Sequence, residues 1–113
     1  MKTQTKNLID DGRNALAVLK KHHQAIEVSL NNIEKINYYE IIGIMGCIDG
    51  FINLFEDYTT NIIQFNDVMS KDEIRISDEL YYQLHLLIKD FERMQIIFEK
   101  KAKILNKKIT RNK

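Results

Sequence analysis

Between Leu8 and Ile109 apolar side chains recur at alternating steps of three and four residues, and no proline interrupts them anywhere in the chain. Such spacing returns to the same side of an α-helix every turn or two, so each run marks one stripe of an amphipathic helix. Leu8, Gly12, Ala15, Leu19, His22, Ile26, Leu30 and Ile33 form the first stripe. Ile41, Ile44, Ile48, Phe51, Phe55, Tyr58, Ile62, Phe65 and Met69 form the second. Tyr81, Leu84, Ile88, Phe91, Gln95, Phe98, Ala102, Leu105 and Ile109 form the third. A β-rich chain needs turn residues about every ten positions. Glycine occurs only at Gly12, Gly43, Gly46 and Gly50, so that punctuation is missing.

The boundaries follow from capping chemistry. Asn31 and Asn32 close a first helix over residues 5–31, because Asn tolerates the conformation that ends helices. In NYYE, residues 37–40, Asn37 can accept from the free amides of the first turn while Glu40 reaches back, a capping box that opens a second helix over 38–69. Two starts compete for the third. SKDE, residues 70–73, has the capping-box form, whereas SDE, residues 77–79, sets a cap ahead of two acids that suit the positive end of the helix dipole. The second is preferred, leaving 70–76 as a loop with room for one helical turn. Matched long helices on short connections predict an all-α, antiparallel three-helix bundle with coiled-coil-like packing. The 113 residues make one domain, 1–113, ending in a basic, frayed stretch at about 107–113.

The segment IIGIMGCIDGF, residues 41–51, sets three glycines inside the second helix. Each interior glycine costs a helix about 1 kcal/mol relative to alanine. One explanation is a row of small residues, Gly43, Gly46 or Cys47, and Gly50, that lets another backbone approach closely, from this chain or from a second molecule. Another is a break near residues 46–50, with Asp49 and Gly50 forming a turn, which would give four helices. A phosphate-cradling loop is excluded by the lack of GxGxxG or GKS/GKT.

The second helix is unusual in two further respects. Ile42, Met45, Ile52, Leu54 and Ile63 fall outside its stripe, so it is either a deeply buried central helix or one that also offers a partner surface. Its charges are all acidic, Glu40, Asp49, Glu56, Asp57 and Asp67, with no Lys or Arg between Ile36 and Ser70. Gly43, Gly46, Gly50, Glu56 and Asp57 are the candidate interface residues. At the other extreme, residues 99–113 carry seven basic residues against Glu99, a net of +6, which leaves −5 for the rest of a chain whose total is +1. Lys100, Lys101, Lys103, Lys107, Lys108 and Arg111 are the candidate contacts for a polyanion. No aromatic residue follows Phe98, so the basic end has nothing on which to stack bases.

Catalytic chemistry finds little support. No ExxH or HExxH occurs, His23 and Glu27 supply only two ligands at helical spacing, and Arg13, Arg75, Arg93 and Arg111 are scattered. Cys47, the one cysteine, lies in apolar and acidic surroundings with no neighbouring base or cation to activate it and is expected to act as a small core residue. His22, on the core stripe, is expected to be partly buried. The N-terminal MKTQTKNLIDDGRN lacks the apolar run of a secretory signal, which predicts a cytoplasmic protein. The window 41–55 is flanked by acids and is shorter than a membrane span, so no membrane association is expected. The sequence therefore predicts a non-enzymatic module without metal or cofactor that binds another protein through helical faces and self-associates as a homodimer. Nucleic-acid contact through the lysine-rich end is the alternative.

Overall fold

A computed structural model describes the backbone over residues 3–111 and the side chains over residues 3–109. Three long helices make up nearly all of it: α1, Thr3–Asn31; α2, Tyr38–Phe65; and α3, Lys71–Arg111. Single 3₁₀ turns, Ile33–Lys35 and Asn66–Val68, join them, and the described residues contain no strand. The molecule is an all-α three-helix bundle in which α1 and α3 run parallel and α2 runs against both.

Asn37 opens α2 as expected. Its Oδ1 accepts from the Glu40 backbone amide at 2.9 Å, while its side-chain Nδ2, rather than its backbone N–H, donates to Glu40 Oε1 at 2.8 Å. The helix then runs unbroken to Phe65 without a positive φ, so Gly43, Gly46 and Gly50 form neither a break nor a turn. It ends four residues earlier than expected, where the chain tightens into the 3₁₀ turn before Met69.

The third helix begins at Lys71, not at Ser77. Ser70 and Glu73 satisfy each other, Glu73 N donating to Ser70 Oγ at 3.2 Å and Ser70 N to Glu73 Oε1 at 3.1 Å. Both caps are sound locally, and tertiary packing decides between them. Ser77 is buried within the helix with its hydroxyl against the Met69 sulfur, and Glu73 is buried beside Thr5 of α1, whose hydroxyl holds its carboxyl below the usual range.

At about 1.5 Å per residue the 41 residues of α3 span about 61 Å, the full length of a molecule measuring 61 × 22 × 18 Å. The register against α1 is constant: His23 meets Asp90 and Glu34 meets Lys101, each 67 residues apart. With its start matched to Thr5, α3 outruns α1 at its C-terminal end. Leu105 still touches the core, but Asn106, Lys107, Lys108 and Ile109 are exposed. The stretch expected to fray is helical as far as Arg111, whose side chain, like the whole of Lys113, lies outside the described residues.

The central helix is therefore α3, and of the two alternatives for α2 the deeply buried central helix is ruled out. Leu80, Leu84, Ile88, Phe91, Met94, Phe98 and Ala102 of α3 are buried between Leu8, Ile9, Leu16, Leu19 and Ile26 of α1 and the inner face of α2. In α2 only Ile41, Ile48 and Tyr58 are buried. The third stripe is rotated slightly from its expected setting, with Leu80 and Met94 inside while Tyr81 and Ile109 are exposed.

Candidate protein interface

α1 and α2 each pack along α3 but meet one another far less, and a seam lies open between them. Two features hold the seam. Near one end Tyr58 crosses from α2 to lie against Gly12 of α1, where a Cβ would come within 2.5 Å of its hydroxyl and 2.7 Å of its ring. Only glycine admits the ring there, and this glycine, unlike those of α2, has an evident packing reason. The Tyr58 hydroxyl is buried without a hydrogen-bond partner, and burial pushes its pKa up to about 12. Further along, the rings of His22 and Phe51 meet at 5.0 Å, and Phe51 continues onto Phe91 at 5.2 Å.

On either side of these contacts the seam widens into two clefts. One, of about 380 Å³, lies between Leu8, Ala15 and Val18 of α1 and Leu54 and Tyr58 of α2, with Asp11 and Asp57 at its rim. The other, of about 440 Å³, lies nearer the α1–α2 turn between His22 and Ile26 and Gly43, Ile44, Cys47 and Phe51, with Glu40 at its edge. Both floors are apolar, and every Asp, Glu, Lys or Arg lining them is an acid.

The outward side of α2 continues this surface. Tyr39, Ile42, Leu54 and Ile63 are exposed, Ile63 to 71%. Gly43, Gly46 and Gly50 are exposed too, and a Cβ added at any of them would meet nothing within 4 Å. They therefore do not serve close packing inside this chain. Glu56 and Asp57 stand exposed beside them, whereas Asp49 accepts from Gln95 of α3 at 2.6 Å. By length and composition the helical stretch Tyr38–Val68 could cross a membrane; its most apolar window has a mean hydropathy of 1.2, and 11% of that window is buried in the bundle.

Cys47 and His22, both expected inside the bundle, are placed differently from the sequence reading. Cys47 is exposed rather than in the core, because it lies away from the Ile41–Ile48 face on the cleft side of α2. His22 is exposed, and its neighbour His23 is the half-buried one, since adjacent residues on a helix are 100° apart and His23 lies on the side of α1 that reaches Asp90 of α3. His23 Nε2 lies 2.5 Å from Asp90 Oδ2, and Asp90 Oδ1 accepts from Arg93 Nε at 2.7 Å. The Arg93 guanidinium first, then His23, holds the Asp90 carboxyl below its ordinary range. With both oxygens occupied, Asp90 acts as a clamp between α1 and α3. Nothing in the sequence marks a pair 67 residues apart.

At the basic end, Lys101 donates to Glu34 at 2.9 Å and Lys103 pairs with Glu99 at 3.4 Å. Lys100, Lys107 and Lys108 are exposed. Among the described residues no three His, Cys, Asp or Glu side chains converge on a site that could hold a metal.

No protein-family model, no curated protein and no solved structure matches the chain.

Proposed function

We propose that the protein is a non-enzymatic binding module that receives a helix of a partner protein along α2 and the seam between α2 and α1. One observation carries this reading: the most apolar helix of the bundle is the one it buries least. A soluble chain gains by burying Ile and Leu at roughly 25 cal/mol per Å² of apolar surface, and α2 leaves that gain uncollected on its outer side. The exposed glycines fit the same reading, because a flat strip without side chains allows a second helix to approach closely.

Lipid is the weaker occupant. Glu56 and Asp57 stand exposed within the helix, and a carboxylate near the bilayer centre costs about 3 kcal/mol. A protein partner can meet the same acids with Lys or Arg.

The direct test replaces Gly46 by Leu. The added side chain has open space in the free chain, so circular dichroism should show an unchanged or firmer helix. Proteins retained from an extract by the tagged wild-type chain, its own untagged copy included, should be lost by the variant. Equal retention by two folded chains would refute the assignment.

A second reading, polyanion contact through Lys100, Lys107 and Lys108, draws on the exposure of the α3 end beyond the bundle. Removing residues 107–113 should then weaken nucleic-acid binding and flatten its dependence on salt.

A further inference from the structure

The side of α3 turned away from α1 and α2 has a pattern of its own. Tyr82, Leu86, Ile96 and Ile104 lie along it, 51–61% exposed. Lys89, Arg93, Lys100 and Lys107 fill the places between and beyond them, so that the whole row advances by steps of three and four residues and every member is exposed. At 100° per residue the row is opposite Phe91, Met94 and Phe98, which face the other two helices, and it therefore runs along the back of the bundle, behind the α1–α2 seam. From residue 82 to residue 107 it is about 38 Å long at 1.5 Å per residue.

No acid stands in the row. Asp90, Glu92 and Glu99 lie to its sides, where they pair within α3 with Arg93 at 2.7 Å, Lys89 at 4.0 Å and Lys103 at 3.4 Å. Exposed pairs of this kind are weak and give way to another anion at little cost. The acids that disfavour lipid along α2 thus have no counterpart here. A solvated basic face needs no aliphatic side chains among its lysines, and nucleic-acid phosphates would leave those side chains in water. The clefts of the bundle open in the seam and beside the α2–α3 turn, away from the row. An anionic bilayer suits both components and demands no matching contour. Aliphatic side chains enter the boundary between headgroups and acyl chains, while Lys and Arg extend their stems to the lipid phosphates.

We propose that α3 lies along the surface of an anionic phospholipid membrane through this row, with Leu86, Ile96 and Ile104 in the boundary and Lys89, Arg93, Lys100 and Lys107 on the phosphates. The contact is peripheral and spans nothing. Because the row backs onto the seam, a membrane-bound copy holds its seam away from the lipid, open to a partner helix. The inference stands on α3 alone and does not depend on that partner.

The test is co-sedimentation of the full-length chain with vesicles of phosphatidylcholine alone or mixed with phosphatidylserine. Binding is expected to the mixed vesicles only, weakening as salt rises. Lys100→Glu with Lys107→Glu should lower the affinity about twentyfold or more. Lys20→Glu with Lys21→Glu makes the same change of charge at exposed positions of α1 and should lower it less than about threefold. Ile96→Ser with Ile104→Ser leaves the charge alone and should cost about tenfold or more, with the helix content unchanged by circular dichroism. Single tryptophans identify the face. Emission from Ile104→Trp should shift to the blue on mixed vesicles, and emission from Ile63→Trp, on α2, should not. Equal binding to neutral vesicles, or equal loss in the α1 variant, overturns the inference. Full binding by the isoleucine variant does so too, and leaves contact with a polyanion through charge alone. A shift at Ile63 in place of Ile104 overturns both this inference and the reading of α2 as a protein-binding surface. Failure to bind mixed vesicles while Gly46→Leu still loses a retained protein overturns the lipid contact only.

Discussion

α2 and α3 invert the usual relation between composition and position. α3 carries Lys, Arg, Asp and Glu along most of its length, yet its inner stripe supplies Phe91, Met94 and Phe98, all fully buried. α2 is nearly free of charge over residues 41–55, yet contributes only Ile41, Ile48 and Tyr58 to the fully buried core. The difference shows that burial depends on where apolar residues fall around a helix more than on their number. A narrow stripe facing two neighbours is covered completely, whereas a helix apolar on several sides must leave some of them in water. On this account α3 holds the bundle together and α2 is free to bind.

Truncating the two helices should separate these roles most sharply. Phe91→Ala removes a fully buried ring and should cost about 3–5 kcal/mol, enough to unfold much of a domain this small. Ile63→Ala, on the outer side of α2, should stay within about 0.5 kcal/mol. Urea midpoints measure both, and a large loss at Ile63 would mean that α2 is packed more fully than described.

The glycines sharpen the comparison at smaller scale. Gly12→Ala sets a methyl within 2.8 Å of the Tyr58 ring and hydroxyl, so something must shift, and should cost about 1–3 kcal/mol. Gly46→Ala meets nothing and should raise the thermal midpoint, by the equivalent of about 1 kcal/mol of helix propensity. Opposite signs from the same substitution would distinguish a glycine kept for packing from one kept for an outer surface.

The smallest effect is on acid stability. The Thr5 hydroxyl and the Ser70 amide hold the Glu73 carboxyl below its ordinary value, and Arg93 and His23 do the same for Asp90. A carboxyl depressed in the folded state favours folding fully above its unfolded pKa and loses that contribution as pH falls through the folded value. Chemical stability should therefore decline below the ordinary carboxylate range, and Glu73→Gln should flatten the decline while lowering stability at neutral pH. An unchanged profile would show that Glu73 contributes no linkage.

The architecture was legible because periodicity of 3.6 is a local property, repeated often enough in each helix to fix the number, direction and inner face of the elements. What escaped was everything set by the mutual rotation and register of the helices. His22 and His23 differ by one residue, and only the seating of α1 on α3 selects which ring reaches Asp90. Ser70 and Ser77 both offer a valid cap, and Thr5, distant in sequence, makes the earlier one favourable by covering Glu73. Cys47 looked like a core residue because its neighbours are apolar, but in a helix apolar on several sides a residue's neighbours do not reveal its facing. For the same reason the sequence could pose the question of the α2 glycines without deciding between an internal contact, a break and an outer surface. Two of these are now excluded within the chain.

Amide hydrogen exchange, followed helix by helix in dilute solution, tests the division of roles most directly. The account predicts markedly weaker protection across residues 42–57 of α2 than across residues 84–98 of α3, because the first segment lacks cover on its outer side. Equal protection of the two segments in a monomer would contradict it, showing that α2 is as firmly held as the helix it packs against and has no face waiting for a partner.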